Sequence, residues 1–81
     1  QLIDVRGREE HKAFNIGGNN IPLDELSEHL GELAVGGPII CYCSSGKRSV
    51  TAARVILKKF PDAHVYSLSH GIAEIKEATP E

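Results

Sequence analysis

The sequence lacks methionine and tryptophan, and aromatic residues make up only 5% of its 81 residues. The absence of methionine predicts that the chain is a processed or excised part of something longer. No stretch approaches the roughly 20 consecutive apolar residues of a membrane span, and no signal-peptide pattern opens the chain. With 41% hydrophobic and 25% charged residues, the composition favours a single small domain over residues 1–81.

Cysteine is scarce as well, because the chain has only Cys41 and Cys43, two positions apart. A secreted domain of this size usually carries more cysteines at wider spacing, so the sequence predicts a reducing, cytoplasmic setting. The pair also lacks the C-x₂₋₄-C spacing that is typical of zinc sites. We therefore predict no metal site and no cofactor.

Nine basic and eleven acidic residues give a net charge of −2, which by itself indicates neither a nucleic-acid nor a membrane partner. The distribution of the charge is more informative. Five of the nine basic residues, and none of the acids, lie between Ser44 and Phe60. Positive charge is therefore concentrated next to the second cysteine.

Short apolar runs alternate with amphipathic segments along the chain. Strands are predicted within QLIDVR, PIICYC and HVYSL, and helices within GREEHKAF, LDELSEHLGEL, SVTAARVILKKF and GIAEIKEA. NIGGNN is a turn cluster. The alternation predicts an α/β fold with a small, mainly parallel sheet and helices on both faces, in which PIICYC is a central strand covered on both faces. Because a strand begins at residue 2, we also expect an N-terminal truncation.

Two of the predicted helices have a clear apolar face. In LDELSEHLGEL the leucines recur at helical spacing. The helix within SVTAARVILKKF is predicted to begin near Ser49 and to bury Val50, Ala53, Ile56, Leu57 and Phe60.

The segment CSSGKRS, residues 43–49, lies between the central strand and the helix that follows it. Ligands of open α/β sheets gather beyond the carboxyl ends of the strands, where Cys43 and Asp4 are both expected. Cys41 lies inside the apolar run and is expected to be a core residue. A core position does not explain Cys43, because the chain opens there into small residues and two cations.

The chemistry of this segment favours a reactive thiolate. Its small residues allow a turn that aims backbone N–H groups inward as an anion-binding nest, and the next helix adds the positive end of its dipole. A cysteine in such surroundings has a lowered pKa and acts as a nucleophile. We predict Cys43 as the catalytic residue and Arg48 as the main anion contact. The predicted substrate-binding residues are Ser44, Ser45, Gly46, Lys47, Arg48 and Ser49.

Several charged residues and histidines outside this segment are predicted either to support the site or to have no part in it. Asp4 and Arg6 are predicted to support the site, with Asp4 either pairing with Arg6 or accepting hydrogen bonds from the loop amides. Arg54 is expected to shape the local field without touching substrate. His11 and His29 are predicted to be solvated on exposed helix faces, and no role is predicted for His64, which precedes a strand. His70 follows the last strand at the same sheet edge as Cys43 and could border the pocket, but a spectator role is favoured.

In these motifs the chain resembles the rhodanese family of sulfurtransferases over nearly its whole length. LIDVR and NIGGNNIP are similar to the first two blocks of that family, CSSGKRS to its active-site loop, and LSHGI to its closing segment. The resemblance implies that Cys43 takes the outer sulfur of a small anionic donor such as thiosulfate. The resulting persulfide would lie among the loop amides, with Lys47 and Arg48 holding the donor.

The chain departs from the family pattern in ways that concern substrate preference. Relatives usually start with a further strand and helix, often have His where this chain has Asn15, and often have a Gly-Gly pair and a Trp near Gly71. The NIGG and IPLDEL segments are similar to rhodanese modules fused to adenylyltransferases of molybdopterin and thiamine biosynthesis. That similarity implies a ubiquitin-like sulfur carrier as the protein acceptor.

Two other functions remain open on the sequence. A cysteine-dependent phosphatase or arsenate reductase of related fold would place five residues between Cys and Arg, whereas four separate Cys43 from Arg48. The smaller loop suits a single sulfur atom better than a tetrahedral phosphate. A non-catalytic regulatory module is the second alternative, and the intact Cys and Arg argue against it.

Overall fold

A computed structural model describes residues 1–68 of the chain. The predicted final helix within GIAEIKEA and the residue His70 lie outside this range. Within residues 1–68 no helix is both long and apolar enough to cross a membrane.

Four parallel strands form one sheet in the order β2-β1-β3-β4. They are β1 (Leu2–Asp4), β2 (Asn19–Asn20), β3 (Ile39–Tyr42) and β4 (Val65–Ser67). This arrangement confirms the predicted α/β fold with a parallel sheet and a central PIICYC strand. β2 lies within the predicted turn cluster and pairs closely with β1. Gly18 precedes it with a φ of +82°, and a Cβ there would lie 2.2 Å from the Leu2 carbonyl oxygen.

Two α-helices follow β1 and β3, the strands that lead to Asp4 and Cys43. They are α1 (Arg8–Ala13) and α2 (Lys47–Lys59). The predicted helix over LDELSEHLGEL is instead two 3₁₀ segments, Leu23–Glu28 and Leu30–Glu32. His29 leaves helical geometry between them, with φ −114° and ψ 10°. Leu23 and Leu26 of the first segment are three residues apart, as are Leu30 of the second and Leu33, which directly follows it. This spacing matches the period of a 3₁₀ helix and lets these leucines face the core.

The core lies between the sheet, α2 and the 3₁₀ segments. α2 buries Ser49, Ala52 and Ile56, so its buried face starts one residue earlier than predicted, and Val50 is 41% exposed. The reason is that α2 begins at Lys47 and turns Ser49 inward, where its hydroxyl finds hydrogen-bond partners. β3 is covered completely on one face and partly on the other, since Ile40 is 36% exposed.

Candidate functional site

The cysteine loop lies at the carboxyl edge of the sheet. Cys43 directly follows β3, and α2 begins four residues later. Asp4, the last residue of β1, pairs in register with Tyr42, the last residue of β3. The structure therefore places Cys43 and Asp4 at the same edge of the sheet, as the sequence predicts.

Backbone amides surround the sulfur of Cys43. The amide of Gly46 lies 3.1 Å from Sγ, the amide of Ser49 lies 3.3 Å from it, and the Ser49 hydroxyl lies 3.7 Å away. Gly46 has a φ of +95°, a conformation that side-chain-bearing residues rarely adopt. The turn at this glycine brings both amides onto one atom, which is the geometry of an anion-binding nest.

The two cysteines differ in acidity for physical reasons. Burial acts to raise the pKa of Cys43, but the Ser49 amide and hydroxyl and the Gly46 and Ser45 amides outweigh it, so the pKa is lowered overall. Cys41 has no such donors, and burial raises its pKa to about 11. Only Cys43 is therefore favoured as a thiolate, because hydrogen bonding to a charged form stabilises that form.

Cys43 is fully buried, with 0% of its surface exposed. Cys43 belongs to the buried core cluster, so a core position and an amide-lined sulfur coexist at this residue. The loop folds over the sulfur because the two amides can reach Sγ only when the backbone closes around it.

The side chain of Arg48 lies against a carboxylate. Its two terminal nitrogens donate to the two oxygens of Glu10, each at 2.9 Å. The Arg48 hydrogen bonds lower the pKa of Glu10 to about 2. Ser44 also faces Glu10, with 3.4 Å between its hydroxyl and Oε2. Sequence reasoning missed Glu10, since no local spacing relates it to a residue 38 positions away.

Asp4 is fully buried and accepts hydrogen bonds from Arg6 and His11. Arg6 donates from Nε at 2.9 Å, from a terminal nitrogen at 2.7 Å and from its backbone amide at 3.0 Å. Burial acts to raise the pKa of Asp4, but these bonds and the contact with His11 lower it overall. The predicted pairing of Asp4 with Arg6 is thus present in the structure.

His11 is not the solvated residue that its position on α1 suggested. Its Nδ1 lies 2.8 Å from Oδ2 of Asp4, and 24% of its side chain is exposed. The sequence-based expectation for His11 is wrong because the turn between β1 and α1 returns the helix to the strand end. His29 is half-buried beside Glu25 and Glu32.

Two pockets flank the loop on opposite sides. The first, of about 550 Å³, adjoins α2 and β4, and the second, of about 530 Å³, lies between α1, β1 and the 3₁₀ segment that follows β2. Residues that line the first include Ser45, Gly46, Lys47, Thr51, Arg54 and Ser67. The second is lined by Val5, Gly7, Glu10, Pro22, Leu23, Asp24 and Arg48.

The predicted binding residues therefore separate into three groups. Backbone amides of Ser45, Gly46 and Ser49 are directed at the sulfur. Ser44 and Arg48 face Glu10, and Lys47 faces the first pocket. Within residues 1–68 no group of three or more His, Cys, Asp or Glu side chains could hold a metal ion.

The fold and the site together define a parallel α/β domain whose central strand carries a cysteine into an amide-lined loop suited to a sulfur anion. Residues 1–78 match the family described as the Rhodanese-like domain. The chain belongs to this family.

Several known proteins are similar to this chain in sequence or in fold. YqhL of Bacillus subtilis is 38% identical over 72 residues, which is 88% of this chain and 56% of that protein. The reduced CoADR-RHD of Bacillus anthracis is 36% identical with a TM-score of 0.74, over 88% of this chain and 13% of that one. The human single-domain sulfurtransferase TSTD1 has a TM-score of 0.79 at 24% identity, over 99% of this chain and 83% of that one. The chain thus spans little more than half of YqhL.

Proposed function

We propose that this domain transfers sulfur through a persulfide on Cys43. The observation that carries the proposal is the pair of amides, from Gly46 and Ser49, directed at a sulfur whose pKa is lowered. Membership of the rhodanese-like family supports it, as does the similarity in fold to a single-domain sulfurtransferase.

In the first half-reaction the Cys43 thiolate attacks the outer sulfur of a donor such as thiosulfate. A sulfur–sulfur bond forms to Cys43 while the sulfur–sulfur bond of the donor breaks, and sulfite leaves with the electron pair. The step needs no separate base, because the thiolate already carries the reacting electron pair. The amides that face Sγ then lie close to the new terminal sulfur.

In the second half-reaction a nucleophilic acceptor attacks the terminal sulfur. Its new bond to sulfur forms as the sulfur–sulfur bond to Cys43 breaks, and the thiolate returns with the electron pair. Cyanide would give thiocyanate in this way, and a thiol would give a new persulfide. A protein acceptor such as a ubiquitin-like sulfur carrier is consistent with the same step.

The burial of Cys43 adds a requirement to this scheme. A donor reaches Sγ only after residues that cover it move aside. Ser44 and Ser45 can move at modest cost because they lack the large apolar side chains that would anchor them in the core.

The direct test is turnover of thiosulfate and cyanide to thiocyanate by the wild-type chain and two cysteine variants. We expect Cys43→Ser to lose activity by at least about a hundredfold, since a serine hydroxyl is a far weaker nucleophile at neutral pH. Cys41→Ala is the matched control and should keep most of the activity, because the Cys41 thiol is not ionised. Circular dichroism verifies that each variant is folded.

Other outcomes of this experiment support other functions. Hydrolysis of an aryl phosphate that disappears in Cys43→Ser would support the phosphatase alternative. A folded wild-type protein with no turnover and no sulfur on Cys43 would support a non-catalytic module and contradict our proposal.

A further inference from the structure

The two pockets beside the loop carry opposite charge, and this difference bears on where the substrate binds. We propose that Lys47 and Arg54 form an anion subsite in the pocket beside α2, and that this subsite, not Arg48, receives the negatively charged part of the sulfur substrate. The inference deepens the proposed sulfur transfer and rests on it.

Arg48 is poorly placed to bind a substrate anion because its charge is already paired. Both of its terminal nitrogens donate to Glu10 at 2.9 Å in a bidentate arrangement, which is among the stronger hydrogen-bonded ion pairs in proteins. A substrate anion would compete with this carboxylate for the guanidinium and would be repelled by its charge. It would also meet a second acid in the same pocket, Asp24.

The pocket beside α2 presents the opposite situation. Its lining contains two cations, Lys47 and Arg54, and no acidic residue. Neither cation forms an ion pair within residues 1–68. The hydroxyl of Ser45 adds a hydrogen-bond donor to the same wall, whereas that of Thr51 donates to the Lys47 carbonyl at 3.5 Å. Anions therefore favour this pocket on charge alone.

This pocket is also close to the reactive sulfur. Gly46 contributes to its wall and donates its amide to Sγ at 3.1 Å. Ser67 contributes as well, and its hydroxyl lies 2.6 Å from that of Ser49, which contacts Sγ in turn. Hydrogen bonds thus connect two lining residues of the pocket to the sulfur, directly from Gly46 and through Ser49 from Ser67, so a bound anion lies next to the loop.

The spacing of the two cations indicates the size of the ligand. Lys47 and Arg54 are seven residues apart on α2, two helical turns, which is roughly 10 Å along the axis. A pocket of about 550 Å³ falls within the range of those that hold drug-sized ligands. A ligand of comparable length matches these two positions better than thiosulfate, whose two sulfur atoms are joined by a single bond. The subsite thus fits a small organic molecule with two anionic groups set well apart.

Inert dicarboxylates test this subsite without any sulfur chemistry. Malonate and suberate carry the same charge, but only suberate has a length comparable with the spacing of Lys47 and Arg54 along α2. Binding is measured by NMR titration of the Cys43→Ser protein, which cannot react. We expect suberate to bind about tenfold more tightly than malonate, because it gains one further charge-assisted hydrogen bond.

Two further substitutions in this protein locate the effect. Arg54→Gln should remove the preference for suberate, whereas Lys58→Gln, which removes the same charge farther along α2, should leave it intact. Equal binding of the two dicarboxylates, or a preference that survives Arg54→Gln, would overturn the subsite.

The outcome is separable from that of the proposed function. If the wild-type protein forms a persulfide but shows no preference for suberate, only the subsite is wrong. If the preference is present but no persulfide forms, the assignment of the pocket to a sulfur substrate fails.

Discussion

At the scale of single residues, the site depends on the contrast between two cysteines that are two positions apart. Both are fully buried, so burial acts to raise the pKa of each. Cys43 differs because amides of the following turn reach its sulfur, whereas Cys41 lies inside the strand, where the backbone groups pair with neighbouring strands. Reactivity therefore comes from the turn at Gly46 and not from exposure.

This contrast predicts the pH dependence of alkylation. The rate of reaction of Cys43 with iodoacetamide should rise to a plateau with a midpoint below the ordinary pKa of a thiol, since the folded protein favours its thiolate. Gly46→Ala should move the midpoint upward, because alanine tolerates a φ of +95° poorly and the amide leaves the sulfur.

The Cys43→Ser protein gives the baseline of Cys41, which should react appreciably only at much higher pH. An unchanged midpoint in folded Gly46→Ala would show that the amide of this residue does not set the acidity of Cys43.

At the scale of secondary-structure elements, the pair Glu10–Arg48 joins α1 to α2 across the cysteine loop. The pair has a bidentate geometry, and about 40% of each side chain is exposed. It holds the start of α2, and with it the amide of Ser49, against the strand ends. We therefore regard Glu10 as a positioning residue of the loop.

Replacing Glu10 should change how stability depends on pH. The pKa of Glu10 falls from 4.5 to about 2 on folding, so its contribution is complete above pH 4.5 and is lost as the pH falls towards 2. Glu10→Gln should lower the free energy of unfolding by about 1 kcal/mol at neutral pH, as is usual for a partly exposed ion pair. It should also weaken the loss of stability between pH 4.5 and 2.

Glu9→Gln is the matched control, because it removes the same charge from an exposed position on α1. Urea denaturation at pH 7 and pH 3 measures both variants. Identical pH profiles for the two would contradict a stabilising role for the pair.

At the scale of the whole molecule, the order β2-β1-β3-β4 brings two strand ends together at one edge of the sheet. One end carries Cys43, and the other carries the buried Asp4 with its partners Arg6 and His11. Removing the charge of Asp4 leaves the side chain of Arg6, which is only 6% exposed, without its carboxylate. The edge that supports the loop therefore depends on a buried ion pair.

Asp4→Asn should destabilise the domain by about 3 kcal/mol or more, the usual effect of breaking a buried pair. The folded state lowers the pKa of Asp4, so this contribution is present at neutral pH and is lost as acid protonates the carboxylate. Thermal unfolding compares it with Asp24→Asn, an exposed carboxylate on the first 3₁₀ segment. Equal melting temperatures for the two variants would contradict the structural role of Asp4.

Local sequence patterns determine some features of this molecule, whereas others depend on how distant segments pack. The cysteine loop could be predicted because its chemistry lies within residues 43–49, and β1, β3 and β4 because each lies in a short, largely apolar run. β2 could not, because its two asparagines are typical of a turn and it is a strand only through its pairing with β1. The pairs Glu10–Arg48 and His11–Asp4 could not, because they depend on how α1 packs beside the loop and the strand ends. The 3₁₀ segments were mistaken for one α-helix because leucines spaced by three or four residues fit either period.

The most direct test of the central claim is the intact mass of the protein after incubation with thiosulfate and removal of small molecules. We predict a gain of one sulfur atom in the wild-type and Cys41→Ala proteins, none in Cys43→Ser, and loss of the added sulfur when cyanide is supplied. An unchanged wild-type mass, or a sulfur that remains in the Cys43→Ser protein, would contradict persulfide transfer through Cys43.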